Sequence, residues 1–465
     1  VTLRPYQLDL VELTRDAFRK YRRVIMQLST GGGKTCIAAY IGSGAYAKGN
    51  QMLVLTHRQE IKAQLVRAFI GAGVPCADIG TDSPCHIDTI GIAANRLGTY
   101  APPDFIFVDE FHHGCSATFM KVLEAFPNSK VLGLTATPQR LDGKGLNQVA
   151  DVIVSGPSMK WLIDNGWLKQ PIYYAPKELV DVSGLRKTGG DFNHADLEKL
   201  MAKPSVTGNA VIEYQRLANG RTALAFCVTV AHAEGVARAF SEAGITSESV
   251  DGKLSKDERA ERLARLASGR TKVLTSCELI SEGFDAPSVG AVISLRPTAS
   301  LTMHMQQIGR GLRPSTDSDC IVLDHAGNCF RHGLAEEDRE WSLEGKAKRK
   351  VPEKLEEIHR CQICYAVFAG AACPQCGIQR APSPRELKQK EGEMQRLLEV
   401  RHRIDHKAEE RAAKTLEDLQ AIALKRGYSP KWAWIRWKTS WRNRKSLPKG
   451  GENRQKTVFA SNSSP

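Results

Sequence analysis

The chain has 465 residues, 42% hydrophobic and 25% charged, enough for about three domains with cores of their own. It contains no run of 18 or more uninterrupted apolar residues, which argues against a membrane-spanning helix, and Val1-Thr2-Leu3-Arg4-Pro5 lacks the apolar segment of a secretory signal, so a cytoplasmic protein is expected. From Trp341 onward lie 27 of the 65 Lys and Arg but only 14 of the 51 Asp and Glu, leaving +13 there and +1 before it; a uniformly basic surface is excluded, and the excess marks either a polyanion-binding appendage or a solvated basic tail.

Apolar runs at 24–28, 52–56, 105–109 and 131–135 read as strands, with helical patterns at 35–48, 58–70 and 115–126 between them. This alternation predicts a parallel sheet flanked by helices. It halts over 161–200, where Ser183-Gly184 and Thr188-Gly189-Gly190 read as linker and surface loop. A second alternation follows, with strands at 223–227, 273–276, 291–295 and 320–324 and helices at 231–243, 256–267 and 301–311. Helix starts recur at Ser383-Pro384-Arg385-Glu386, at Thr415-Leu416-Glu417-Asp418 and at Ser429-Pro430. The polar residues after Lys449 are expected to be disordered.

The segment Ser29-Thr30-Gly31-Gly32-Gly33-Lys34-Thr35 sits between a strand and a helix, the setting a phosphate loop requires. Glycines let backbone N–H groups close around phosphate oxygens, and a helix N-terminus adds positive potential. Lys34 is then the group that reaches the terminal phosphates, and Thr35 the one that holds Mg²⁺. The general pattern has Gly where this chain has Leu28, so the form is a variant; a purely structural glycine turn is the plain alternative. Asp109-Glu110-Phe111-His112-His113 ends an apolar strand. Asp109 can complete the metal site, and Glu110 can orient and deprotonate a water. Arg310 and Arg313 lie at i and i+3 of a predicted helix, on one face, able to approach a phosphate together.

The order of these motifs over residues 3 to about 330 resembles the superfamily 2 helicases and translocases, particularly their bacterial and phage DEAD/DEAH-box branch. The resemblance implies two tandem RecA-like parallel-sheet domains that bind ATP and Mg²⁺ between them. It likens Leu3-Arg4-Pro5-Tyr6-Gln7 to the adenine-reading motif, with Gln7 on the base edge and Arg4 near it. Thr56-His57-Arg58 resembles a strand-contacting segment, which offers Arg58 to nucleic acid. His112, Thr135 and Thr137 (in Thr135-Ala136-Thr137-Pro138) and Gln306 correspond to residues linking hydrolysis to domain movement. Glu282-Gly283-Phe284-Asp285-Ala286-Pro287 resembles a motif facing both nucleotide and nucleic acid, placing Gly283 and Asp285 at the cofactor. Gln306-Gln307-Ile308-Gly309-Arg310-Gly311-Leu312-Arg313 fits the arginine-bearing motif of the second lobe.

Cys361-x2-Cys364 and Cys373-x2-Cys376, eight residues apart, fit four thiolates closing a tetrahedral Zn²⁺ site. A reduced metal-free cluster and iron–sulfur ligation are the alternatives. Trp432, Trp434, Trp437 and Trp441 interleave with Lys431, Arg436, Lys438 and Arg442. Three of the rings suit the core of a small helical unit; an exposed one, with Trp432, Arg436 and Lys438 as candidates, suits stacking on unpaired bases beside phosphate-binding cations. The expected organisation is an ATP-binding lobe at 1–157, a linker at 158–205, a second lobe at 206–340, a zinc-ribbon-like four-cysteine module at 341–380, a helical basic region at 381–448 and a tail at 449–465.

The leading expectation is an ATP-dependent DNA helicase, a monomer acting on single-stranded, forked or branched DNA, with phage replication or recombination proteins as partners. A duplex translocase that separates no strands is a second reading. An RNA helicase ranks lower, because Asp109-Glu110-Phe111-His112 and Thr135-Ala136-Thr137 differ from the usual RNA-helicase forms. Intact Lys34, Thr35, Asp109, Glu110, Arg310 and Arg313 argue against a vestigial, non-enzymatic nucleic-acid binder.

Overall fold

Strands buried on both faces need unbroken apolar runs, and such runs build two parallel sheets in the computed structural model. It describes residues 2–140, 142–175, 181–188, 190–201, 204–277, 289–315, 317–345, 348–349, 358–361, 363–379, 413, 415–426, 432–434, 436–437 and 457–459. The chain divides into two compact units: residues 1–379 with 456–465, and residues 380–455.

In the first unit β1 (Arg23–Gln27), β2 (Met52–Thr56), β3 (Cys85–Thr89), β4 (Phe105–Asp109), β5 (Lys130–Thr135) and β6 (Val152–Ser155) form one all-parallel sheet, in the order β6-β1-β5-β4-β2-β3. Ile25, Met26, Val54, Phe107 and Leu132 give it a core that water does not reach. The second sheet begins inside the stretch read as a linker. There β7 (Gln170–Tyr174) pairs with a strand some 150 residues later, and a small hairpin, β8 (Lys187–Thr188) with β9 (Asp191–Phe192), follows it. Next come β10 (Ala223–Phe226), β11 (Ser247–Val250), β12 (Val273–Ser276), β13 (Ala291–Ser294) and β14 (Asp319–Asp324), in the parallel order β11-β12-β10-β13-β14-β7.

A short hairpin, β15 (Arg339–Glu340) with β16 (Lys348–Arg349), comes next. Residues following Trp341 are woven back into the first lobe: Leu146 and Asn147 donate their N–H groups to Leu343 O at 2.7 and 3.1 Å. β17 (Ile358–Arg360) and β18 (Ala366–Ala369) then extend the second sheet antiparallel to β7. The cysteine module is thus continuous with the second sheet, while +10 of the +13 carried from Trp341 onward falls in the second unit. The final residues also depart from the expectation of disorder over 449–465. β19 (Thr457–Phe459), a β-branched and aromatic run, pairs with β6 and so covers that sheet edge.

Among the described residues of the second unit, the helix Leu416–Lys425 starts at Thr415, whose hydroxyl accepts from Asp418 N–H while the Asp418 carboxylate accepts from Thr415 N–H. Leu419, Ala423 and Ala433 form its small core. The helix start read at Ser383 lies outside the described residues.

Candidate functional site

Ligands in open parallel sheets bind beyond the carboxyl ends of the strands. At the end of β1 the chain turns through Leu28–Gly33 into the helix Lys34–Tyr46. Gly31 and Gly33 take φ of +86° and +91°, which a side chain would strain, and Gly32 N–H closes the turn on Ser29 O at 3.0 Å. Leu28 is fully buried beneath the loop, where Gly32 leaves room for it; the departure from the general pattern is a packing choice. Lys34 Nζ donates to Leu28 O at 3.1 Å. Burial lowers its pKa and Arg310 and Arg313 add to that, while Glu110 and Asp109 oppose it.

Asp109 and Glu110 lie at the end of β4, both buried. Burial first, and then the neighbouring Glu110, raise the Asp109 carboxyl to about 6, with Lys34 acting against them. Glu110 has φ +49° and ψ +55°, a left-handed conformation uncommon for a side-chain-bearing residue and one that functional sites retain. The turn Phe111–His113 follows it, held down by Phe111, whose ring occupies the space a Cβ on Gly133 of β5 would need. His112 Nδ1 lies 3.4 Å from both Glu110 Oε2 and Thr135 Oγ1. Thr135 Oγ1 donates to Thr137 O and accepts from Thr137 N–H, each at 3.1 Å, so three of the four coupling candidates, His112, Thr135 and Thr137, form one connected group with Glu110. The Thr35 hydroxyl and the Asp109 carboxylate are hard oxygen donors at the loop and strand ends, a set suited to Mg²⁺.

The second lobe meets this loop through the helix Leu301–Gly311. A Cβ on Gly309 would lie 2.6 Å from Thr30 Cβ, so only glycine lets the helix approach so closely. Arg310 is buried, and the Arg313 stem runs beside Gly31. The Gln306 amide is buried with neither its oxygen nor its nitrogen hydrogen-bonded. Thus Lys34, Arg310 and Arg313 surround one glycine loop opposite two carboxylates, an arrangement that answers the charge of a polyphosphate with Mg²⁺.

Gln7 is engaged with the chain itself: its Nε2 donates to Gly32 O at 2.9 Å, and its Oε1 accepts from Arg4 N–H at 2.9 Å. The Arg4 guanidinium lies 4.7 Å from the Trp167 ring centroid. Tyr6, which donates to Gly32 O, touches both Trp161 and Trp167. These two tryptophans, Leu168 against Gly31, and the rings of His57 and His113 escaped the sequence reading. The one available signal was two tryptophans in a short apolar stretch. Gly283 and Asp285 lie outside the described residues. Arg58 begins the helix that follows β2, at the same strand-end edge.

The four module thiols converge. Cys361 and Cys376 Sγ are 3.6 Å apart, Cys364 and Cys373 Sγ 3.5 Å, and all four lie within 4.8 Å of one another. A tetrahedron with Zn–S of 2.3 Å has edges of about 3.8 Å, so the set fits zinc. Backbone N–H groups of Cys364 and Ile363 lower the Cys361 thiol to about 6, favouring the thiolate a metal needs. In the second unit Trp432 and Trp437 pack on the Leu419 core, while Trp434 is 53% exposed. Among the described rings Trp434 is the exposed one, while Trp432, offered by the sequence for base stacking, is half-buried beside Ala433 against the small core. Arg436 is exposed; Lys438 and Trp441 lie outside the described residues.

Two family models match the chain: "Type III restriction enzyme, res subunit" over residues 1–83 and 87–140, and "Helicase conserved C-terminal domain" over 206–315. A 51.5 kDa protein of a Lactococcus phage is 34% identical over 76% of this chain and 77% of its own. A Saccharomyces cerevisiae protein named as an ATP-dependent helicase, IRC3, is 29% identical over 70% of this chain, which spans about half (51%) of it. The DNA 3'-5' translocase XPB2 of Sulfurisphaera tokodaii is 25% identical over 70% of this chain and 81% of its own. No helix among the described residues is long and apolar enough to cross a membrane.

Proposed function

The chain belongs to the superfamily 2 helicases, ATP-hydrolysing motors, and we propose that it moves along DNA and separates its strands. The observation that carries this reading is the convergence of Lys34, Arg310 and Arg313 on one phosphate loop, with Gly309 of the second lobe seated on Thr30 of the first. Lys34 and the loop N–H groups bind the phosphates, and Thr35 and Asp109 hold Mg²⁺, which neutralises phosphate charge when bound. Glu110 orients the attacking water and takes its proton. Arg310 and Arg313 stabilise the charge that develops on the transferred phosphoryl group, an effect worth about 10³–10⁵ in rate where arginines of this kind have been measured. Because they come from the second lobe, turnover and lobe separation are one event. Gly283 and Asp285 join the nucleotide side by family likeness, with Arg4, Gln7 and Trp167 at the base, and Gln306, His112, Thr135 and Thr137 relay the change.

DNA rather than RNA is supported by the Asp109-Glu110-Phe111-His112 form, by the restriction-enzyme family model and by the translocase named among the relatives. Arg58 and the second unit, with 20 Lys and Arg against 10 Asp and Glu, supply the grip, and Trp434 a stacking ring beside Arg436. The phage relative supports a phage setting, within which replication or recombination is the proposed role. The four-cysteine module holds one Zn²⁺ as a closed structural site, since four thiolates leave no open position.

The test is ATP turnover with forked DNA, blunt duplex, single strands and RNA, run beside strand displacement. Forked DNA should stimulate most and be unwound. Stimulation by duplex without displacement would identify a translocase that does not unwind, and stimulation by RNA alone would overturn the DNA assignment.

A further inference from the structure

His57 follows β2 in the segment that offers Arg58 to nucleic acid, and His113 closes the turn after the acid pair, 56 positions later. The sheet order β5-β4-β2 puts these strand ends side by side. The His57 and His113 ring centroids are 4.6 Å apart, and those of His113 and His112 are 4.2 Å apart. His112 in turn reaches Glu110 Oε2 and Thr135 Oγ1. Three rings in contact therefore span the distance from the strand-binding segment to the proposed water-orienting carboxylate.

The mechanics of the turn make this chain of contacts consequential. Phe111 is pinned against Gly133, so the turn Phe111–His113 cannot slide and yields only by pivoting about that ring. Glu110 joins the rigid strand β4 to the turn in its left-handed conformation, where a small pivot redirects the carboxylate. Packed rings transmit a displacement because they do not compress.

Resting on the proposed function, we propose that His57 and His113 are positioning residues that carry occupancy of the Thr56–Arg58 segment to Glu110, so that bound DNA accelerates ATP hydrolysis. Neither ring touches nucleotide in this scheme. Both act through His112 and the turn.

The experiment measures ATP turnover without DNA and at saturating DNA, together with DNA affinity, for the full chain and for His57→Ala, His113→Ala and His113→Phe. With His113→Ala, turnover without DNA and DNA affinity should stay within about twofold, while the stimulation by DNA falls at least about fivefold, the low end of ordinary site-to-site coupling, and His57→Ala should lose the stimulation to the same extent. His113→Phe keeps a ring between His57 and His112 and should recover most of the stimulation. Full stimulation in His113→Ala overturns the relay, and so does an equal loss of turnover with and without DNA, which would mark a merely structural ring. A parent chain that DNA fails to stimulate overturns the proposed function itself, a result distinct from either of these.

Discussion

Gly309→Ala adds one methyl group at the contact on which the two-lobe mechanism depends. Within the helix Leu301–Gly311 the change is favourable, since alanine in a helix interior is about 1 kcal/mol better than glycine. The second lobe on its own should therefore be no less stable. Across the cleft the new Cβ would lie 2.6 Å from Thr30 Cβ, 2.9 Å from its Cγ2 and 3.3 Å from its Oγ1, whereas carbon pairs rest at about 3.5–4.0 Å. Thr30 Cβ is fixed to the loop backbone and cannot swing away, so helix and loop must part by about 1 Å. Overpacking of this kind costs about 1–3 kcal/mol, and only while the lobes are joined. That range corresponds to a joined state roughly 5- to 150-fold less populated. Turnover at saturating ATP should fall by that factor, with nucleotide binding to the first lobe changed only a few-fold and no loss of melting temperature. Full turnover in Gly309→Ala would refute the claim that this contact forms in the catalytic cycle.

Lys34→Ala and Glu110→Gln should both stop turnover, for different reasons. Losing a charged hydrogen bond to phosphate should weaken ATP binding about 10- to 150-fold, measured by calorimetry. Glu110→Gln should leave binding nearly intact while the rate drops about 10²–10⁴-fold, and full turnover in either variant would remove its assignment. Because Asp109 keeps its proton to about pH 6 when folded, against about 3.9 in an unfolded chain, the folded state holds the extra proton between those values. Its contribution to stability therefore falls as pH rises through that window and levels off above it. Magnesium-dependent nucleotide binding needs the ionised form and should strengthen by up to about tenfold per unit from pH 5 to 6, a slope that Asp109→Asn should flatten. Elemental analysis should find one zinc per chain. Chelation or the Cys373→Ser, Cys376→Ser pair should expose residues 358–379 to hydrogen exchange while nucleotide binding persists, whereas a purified protein without metal would contradict the site.

Much of the two sheets was legible because buried parallel strands read as uninterrupted apolar runs. The expected 52–56, 105–109 and 273–276 coincide with β2, β4 and β12. Other strands were hidden for physical reasons. β3 reads Cys-His-Ile-Asp-Thr, and its buried Asp88 is acceptable only because Lys62 pairs with it at 3.0 Å, a partner 26 positions away. β7 carries Pro171, which argues against an inner strand; β18 reaches only Tyr173 and Tyr174, so the missing N–H spoils no bond on that side. At the site, spacing predicted Arg310 and Arg313 on one helix face, but the helix ends at Gly311 and Arg313 lies just beyond it, and the seating of Gly309 on Thr30 depends on how the lobes pack. The contact of the His57 and His113 rings likewise depends on sheet order, and spacing did not reveal that Trp434, among the described tryptophans, would be left exposed by the small core.

If ATP turnover at this cleft drives movement along DNA, the movement itself can be timed. Displacement of a third strand from a triplex placed at increasing distances along a duplex measures it without requiring unwinding. ATP-dependent displacement should follow a lag that lengthens in proportion to distance, and Lys34→Ala should give none. DNA-stimulated hydrolysis without any displacement would contradict a motor at this cleft.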